Sequence, residues 1–381
     1  MSNPTPTSAN GISIVVPTFK RVDLCQNLLE SLQVSIREVA EPTEILLIDN
    51  SPPEEAAKIK QLCDRFCACY HYQPISVSAK RSFGGKIARY DLLLFIDSDC
   101  EAAPNAIASH CRLYREYPEV VAVLGKTEFK GAKNFLWRSL ELTPFLVPFH
   151  LGDREGTRIW GPSNNLSCRK TVFQKVGGFD SNFPNQPGGE DVDFGYRLYR
   201  KKYLLTTCPD ALVYHTTETW LTLGQVGRRL WNWGRGEVYV YDRNDEFLYY
   251  DCPKGMAIVS IAIVIGIVLS LLHASGEWLL FPAIFLGVNF VSRVVLHLVY
   301  NRDRGGQILQ ILLAEVLGLV YECGVVAECW RRGWFVPFSH RLIALPEEAL
   351  WLWNGQLLYT WVTFAQLLVS VAAIQAIMRS T

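Results

Sequence analysis

The sequence has no surplus of either charge: 37 lysines and arginines meet 37 aspartates and glutamates across 381 residues. A chain that neutralises nucleic-acid phosphates needs a basic excess, so nucleic acid is excluded as a partner. The 11 cysteines are too few for a disulfide scaffold and are scattered through stretches that read as strands and helices, so reduced thiols are expected. The first ten residues, MSNPTPTSAN, hold no apolar run long enough for a signal peptide, and the N-terminal half is therefore expected to fold in the cytosol. Charge is nearly missing from one region, since between Met256 and Tyr300 only Glu277 and Arg293 are formally charged. The ordinary apolar fraction of 49% conceals this membrane-like stretch.

Residues 12 to 17, ISIVVP, form a β-branched run closed by Pro17, the pattern of a strand buried on both faces. DLCQNLLESLQVSI then repeats Leu24, Leu28, Leu32 and Ile36 at helical spacing. EILLIDN predicts a second buried strand ending at Asp49 and Asn50. A helix over Glu54 to Phe66 and a short strand near Tyr70 to Tyr72 lead to a third strong strand, DLLLFID, ending at Asp97. Strand, helix, strand at this spacing is a βαβ unit, so a parallel α/β sheet is expected. Ligands of such sheets sit at the carboxyl ends of the strands, where these runs end in polar residues.

Asp97-Ser98-Asp99 falls where the third strand leaves the sheet. On extended backbone the side chains at i and i+2 point the same way, so two carboxylates converge on one hard divalent cation able to hold a diphosphate. A second acidic constellation, PNQPGGEDVDFGYRL, delivers Glu190, Asp191 and Asp193 into the start of a helix. Acids there are favoured by the helix dipole, and a carboxylate on a glycine-hinged loop also suits a general base; both readings stand. In CDRFCACYH, the spacing of Cys63, Cys67, Cys69 and His71 matches no familiar zinc finger, and the core reading is preferred.

Taken together, ISIVVPTFKR, IDNS, SAKRSFGGKIARYDLLLFIDSDC, GPSNNLSCRK, VGGFDSNF and GGEDVDFGYRL resemble the inverting glycosyltransferases of family 2 over roughly residues 11 to 235. The resemblance implies a GT-A catalytic domain with a Rossmann-like mixed, mostly parallel sheet, followed by an α-helical membrane domain. It implies transfer of a sugar from a nucleotide diphosphate sugar, with Mg2+ or Mn2+ as cofactor and Asp191 as catalytic base. Pro17, Thr18 and Asp49 fall at the nucleoside pocket, with Lys80, Arg81 and Asp97 on the donor side and Lys86 and Arg89 as further basic candidates; for the four basic residues a solvated helix face is the rival reading. Asp97, Asp99 and His215 fall at the metal site, His215 with a purely structural role as its rival. Glu190, Asn165, Arg228 and Arg229 fall on the acceptor side. The family often shows A-R-N-x-G before its D-x-D, whereas this chain has AKRSFGGKIARY. Gln225, Arg228 and Arg229 faintly resemble the Q-x-x-R-W element of processive synthases, but Arg229 stands where tryptophan would be, and processivity is not inferred.

The expected organisation is a glycosyltransferase domain over 11–220, an amphipathic juxtamembrane linker over 221–255 and a membrane region over 256–381. Spans are expected near 256–274, 278–300 and 356–378, with 308–326 either spanning or, as favoured by Glu315 and Glu322, lying at the interface. Arg243, Lys254, Arg302 and Arg304 orient the first two spans with the catalytic domain on the cytosolic side of the cell's inner membrane. Membrane lipids are then partners, and the expected acceptor is a lipid-linked glycan or glycolipid. FLWRSLELTPFLVPFH is either an acceptor-side surface or core. A polyprenyl-phosphate sugar synthase, a nucleotidyltransferase and an inactive membrane scaffold for glycan assembly are the rival functions.

Overall fold

Runs of branched residues with no polar alternation bury both faces of a strand, and that is how the sheet begins in the computed structural model, which describes residues 11–183, 188–300, 306–343 and 362–374. The elements run β1 (Ile12–Thr18), α1 (Val22–Ile36), β2 (Thr43–Asp49), α2 (Pro53–Arg65), β3 (Cys69–Tyr72), α3 (Val77–Ile87) and β4 (Leu92–Ile96). There follow β5 (Cys100–Ala102), α4 (Ala106–Glu116), β6 (Ala122–Lys130), α5 (Phe135–Glu141), β7 (Thr157–Arg158), β8 (Asn165–Arg169), α6 (Lys170–Lys175), α7 (Glu190–Arg200) and β9 (Leu205–Thr216). Contacts divide the chain into two compact units, Met1–Ala132 with Leu146–Thr219 and Lys133–Phe145 with Trp220–Thr381. The whole β1–β9 sheet belongs to the first.

That sheet has strand order β3-β2-β1-β4-β8-β6-β9-β5, with β7 paired to β9. β3, β2, β1 and β4 are mutually parallel, β6 and β9 are parallel to each other, and β5, β7 and β8 run against their neighbours. It is the mixed, mostly parallel sheet of the GT-A fold. Alternate residues of each central strand feed separate cores: Ile14, Leu47 and Leu94 pack on one face, Val15, Leu46, Leu93 and Phe95 on the other. Gly84 and Gly85 let α3 lie hard against the second face, because a Cβ at Gly84 would collide with Val15 and one at Gly85 with Phe173.

The second unit contains α5, α8 (Leu223–Arg243), β10 (Leu248–Tyr250), α9 (Gly255–His273), α10 (Leu280–Tyr300), α11 (Ile308–Arg332), β11 (His340–Leu342) and α12 (Val362–Ile374). The expected linker over 221–255 is mainly helix. α8 opens with a Thr222 and Gln225 capping box and packs along α11, with Gly234 against the Tyr321 carbonyl and Gly324 against that of Trp231. The Phe135–His150 segment buries Trp137 and Leu140, while Phe135 and Val147 stay exposed.

Among the described residues, three helices are long and apolar enough to cross a membrane: Gly255–His273, Gly276–Val299 and Ile308–Arg332. The third extends beyond the expected 308–326. Glu315 and Glu322 on it have partners, Arg293 bonding Glu315 at 2.8 Å and Glu322 at 2.5 Å while His297 Nδ1 lies 3.0 Å from Glu315. Of the expected span at 356–378, the described part is α12; the remainder, like Arg302 and Arg304, lies outside the described residues.

Candidate active site

The carboxyl ends of β1, β2 and β4 place Thr18, Asp49 and Asp97 along one edge of the sheet, in the register set by Val15 pairing with both Leu46 and Phe95. Asp49 is buried and held on both oxygens. The Ser51 amide donates to Oδ1 at 2.9 Å, and the Tyr70 hydroxyl donates to Oδ2 at 2.9 Å. Tyr70 reaches it because β3 pairs in parallel with β2. From α3, the buried Lys80 ammonium donates to the Thr18 carbonyl at 2.6 Å and to Asn50 Oδ1 at 2.8 Å, tying the first two strand ends together. Burial lowers the Lys80 pKa to about 8, with the Asp49 charge opposing.

Asp97-Ser98-Asp99 forms a turn, so the two carboxylates take different partners. Asp97 Oδ1 accepts from Arg81 Nη2 at 2.6 Å, whereas Asp99 Oδ2 lies 2.9 Å from Arg21 Nη1. β5 begins directly after the turn and pairs antiparallel with β9, setting Cys100 opposite His215. His215 Nε2 is thereby 3.7 Å from Asp99 Oδ1. The His215 ring packs against Phe129 and Phe149, and its Nδ1 donates to the Thr216 carbonyl at 2.9 Å, which leaves Nε2 on the side of Asp99. Among the described residues, Asp99, Cys100 and His215 form the group able to hold a metal ion. A carboxylate and a neutral imidazole suit a divalent cation; burial, then Asp99 and Asp97, push the Cys100 thiol pKa far up and keep it protonated.

Gly189, at φ +95°, caps α7 in the left-handed region and turns Glu190 and Asp191 into its first turn. Glu190 is buried, accepting from Arg81 Nη1 at 2.8 Å and from the Gly188 amide at 3.1 Å. Burial by itself would disfavour charge on Arg81; Asp97 and Glu190 reverse this and hold its pKa above the usual arginine value. Asp191 is half-buried and accepts from the Val192 amide at 2.9 Å. Burial, then the Glu190 charge, push its pKa up to about 7 against the pull of Arg81. Asp193 differs from both, pairing with Arg197 one helical turn on at 2.8 Å.

Of the expected acceptor-side residues, Glu190 and Asn165 make internal contacts. Glu190 is turned inward to Arg81. Asn165 is buried and spends both amide hydrogens on the carbonyls of Lys126 and Ala211, while its oxygen meets His110, a histidine that burial keeps neutral with a pKa of about 4. Arg228 and Arg229 belong to the second unit, Arg229 stacked 3.6 Å from the centre of the Trp220 ring and Arg228 exposed. Lys86 and Arg89 are exposed at the far end of α3 from Lys80 and Arg81. The cysteine cluster is only partly core, since Cys63 is buried and Cys67 and Cys69 are exposed. Sequence reasoning gave no role to Arg21, Ser51 or Tyr70. The Asp-Asn-Ser string signalled the Ser51 contact, but Tyr70 depends on strand pairing.

Several known proteins are similar to this chain. An O-antigen biosynthesis protein of Myxococcus xanthus is 31% identical over 228 residues, which are 54% of this chain and 17% of that protein. A chondroitin synthase of Pasteurella multocida is 25% identical over 250 residues, 55% of this chain and 25% of its own. The chain thus spans well under two thirds of the length of these relatives. A mannosyltransferase structure from Pyrobaculum calidifontis, in complex with GDP-Man and Mn2+, aligns at 16% identity with a TM-score of 0.47, covering 88% of this chain and 90% of that one. The family model described as glycosyl transferase family 2 matches residues 13–205, from β1 to the start of β9. That match takes in half of the chain, and the chain belongs to glycosyl transferase family 2.

Proposed function

We propose that this glycosyltransferase moves a sugar, with inversion, from a nucleotide diphosphate sugar to a hydroxyl of a lipid-linked acceptor at the cytosolic face of the cell's inner membrane, as a multi-pass protein. One observation carries the reading: Arg81 binds Asp97 and Glu190 at once, at 2.6 and 2.8 Å, fastening the acidic turn after β4 to the loop that carries Asp191. Donor-side and base-side groups are thereby parts of one rigid cluster, the arrangement a single in-line displacement needs.

In this reading Thr18 and Asp49 bound the nucleoside pocket, with Ser51, Tyr70 and Lys80 fixing them. Asp99 and His215 would hold a divalent cation, Mg2+ or Mn2+, with Asp97 on the same turn. Such an ion, when bound, offsets the charge of the departing diphosphate. Asp191 accepts the proton of the acceptor hydroxyl as that oxygen bonds to the anomeric carbon and the bond to the diphosphate oxygen breaks on the opposite side. A base with its pKa near 7 is matched to that task at neutral pH.

The lipid-linked acceptor is inferred from the three membrane-length helices, because a soluble donor and a soluble acceptor give an enzyme no use for them. Arg243 and Lys254 ahead of α9 support the cytosolic orientation. The test is incubation of the purified full chain with a panel of nucleotide diphosphate sugars, with and without extracted lipid-linked glycans. Metal-dependent transfer that rises with the lipid acceptor is expected. Equal turnover on a soluble acceptor would remove the lipid from the proposal, and no transfer from any donor would remove the proposal itself.

A further inference from the structure

Arg21 sits at the N-cap of α1, where a cation is electrostatically disfavoured by the helix dipole, and its side chain makes no capping bond. Its position follows from Asp99, whose Oδ2 lies 2.9 Å from Nη1. The turn that delivers it is held in an uncommon conformation: Lys20 has φ +56°, and its amide donates to Ser51 Oγ at 2.8 Å. The pair is unequal. The Asp99 side chain is 3% exposed and that of Arg21 is 34% exposed, so the arginine is the partner able to leave toward water.

We propose that Arg21 is the resident counter-charge of Asp99, with which a divalent cation must compete, so that metal loading in this chain is coupled to arrival of the nucleotide diphosphate. The inference rests on the assignment of Asp99 and His215 as metal ligands. A buried carboxylate left without a counter-charge is strongly unfavourable, and Arg21 meets that need at Oδ2. A cation entering at Oδ1, the oxygen that faces His215, therefore meets a carboxylate whose charge is already offset by Arg21, which weakens its binding when no nucleotide is present. The two negative charges of the diphosphate restore the balance, since they attract both the cation and the guanidinium. Arg21 is on this account a positioning residue that acts through Asp99. Arg81 cannot substitute for it, because both of its terminal nitrogens are taken by Asp97 and Glu190.

The experiment titrates Mn2+ into the purified full chain by electron paramagnetic resonance, without nucleotide and with a saturating nucleoside diphosphate. Arg21→Gln is expected to tighten nucleotide-free Mn2+ binding about tenfold, the low end for a close charge pair because Arg21 is partly exposed. The nucleotide-induced tightening seen in the parent shrinks correspondingly. Arg21→Lys, which keeps the charge, stays near the parent, and a thermal melt of each variant confirms a folded chain. Unchanged or weaker Mn2+ binding in Arg21→Gln, with Asp99→Asn abolishing it, overturns this inference and leaves the metal site standing. Mn2+ binding indifferent to Asp99→Asn and His215→Ala overturns the site assignment and this inference with it.

Discussion

Asp97 and Glu190 grip opposite ends of one buried guanidinium, Arg81 Nη2 at 2.6 Å and Nη1 at 2.8 Å. The two acids come from different elements, the turn after β4 and the first turn of α7. Arg81→Ala leaves both carboxylates without their cation, a loss of about 3–5 kcal/mol for a broken buried pair. Arg81→Lys offers one ammonium where a fork is needed and is expected to recover only part of this. Denaturant melts of the two variants and the parent check the ranking, which fails if Ala and Lys are equally stable.

Asp191 links activity to stability in opposite directions. As the proposed base it works ionised, so kcat/KM is expected to rise with pH through about 7 and then level off. The stability effect has the other sign. Burial raises the native pKa above that of the unfolded chain, so the native state binds the extra proton. The contribution of Asp191 is then most favourable at pH values below the unfolded pKa and declines as pH rises through about 7. Asp191→Asn should therefore lower turnover by roughly 10²–10⁴-fold, retain nucleotide binding and gain stability over the parent above pH 7. Paired melts at pH 5 and pH 8 with a nucleotide-binding titration measure all three.

The first half of the sheet was readable because β1, β2 and β4 announce themselves as unbroken apolar runs, the first two each followed by a helix. Later strands carry no such signal: β5 has three residues, and β8 is a polar-looking NLSCR whose burial comes from lying between β4 and β6. The candidate site divides in the same way. Asp49, Asp97 and Asp99 are visible as acids at strand ends. What each acid touches is set by pairing across the sheet: Tyr70 reaches Asp49 through β3, and His215 reaches Asp99 because Cys100 is in register with it. Glu190 and Asn165 show the converse. A polar residue in a motif carries no mark of whether folding turns it toward a ligand or, as here, toward Arg81 and His110.

Gly84 is expected to be intolerant of the smallest side chain. A Cβ there would overlap Val15 of β1, so Gly84→Ala must lift α3 from the sheet although alanine favours helices by about 1 kcal/mol over glycine. Overpacking of this kind costs about 1–3 kcal/mol, which outweighs the propensity gain. Since Lys80 and Arg81 ride on the same helix, nucleotide affinity should fall alongside the melting temperature. Gly177, beside open space, provides the contrast in crowding, although its φ of +86° strains alanine for a separate reason. The prediction fails if Gly84→Ala binds nucleotide as the parent does.

Arg293 is the hub of the charges in the apolar helices, reaching Glu315 at 2.8 Å and Glu322 at 2.5 Å from α10 to α11, while Glu322 also accepts from the Met256 amide at the start of α9 at 3.0 Å. One guanidinium thus pins three helices through two acids placed two turns apart on α11. Removing it leaves two carboxylates with His297 and one amide in a region where unpaired charge is expensive. Arg293→Met is expected to destabilise the full chain in lipid nanodiscs by about 3–5 kcal/mol. Neutralising the acids as well should return most of that loss, because the penalty lies in the stranded charge more than in the absent attraction. The measurement is a thermal melt of Arg293→Met beside the triple variant Arg293→Met, Glu315→Gln, Glu322→Gln. A triple variant no more stable than the single one would mean that the network acts by geometry, through directed hydrogen bonds that glutamine and methionine do not rebuild.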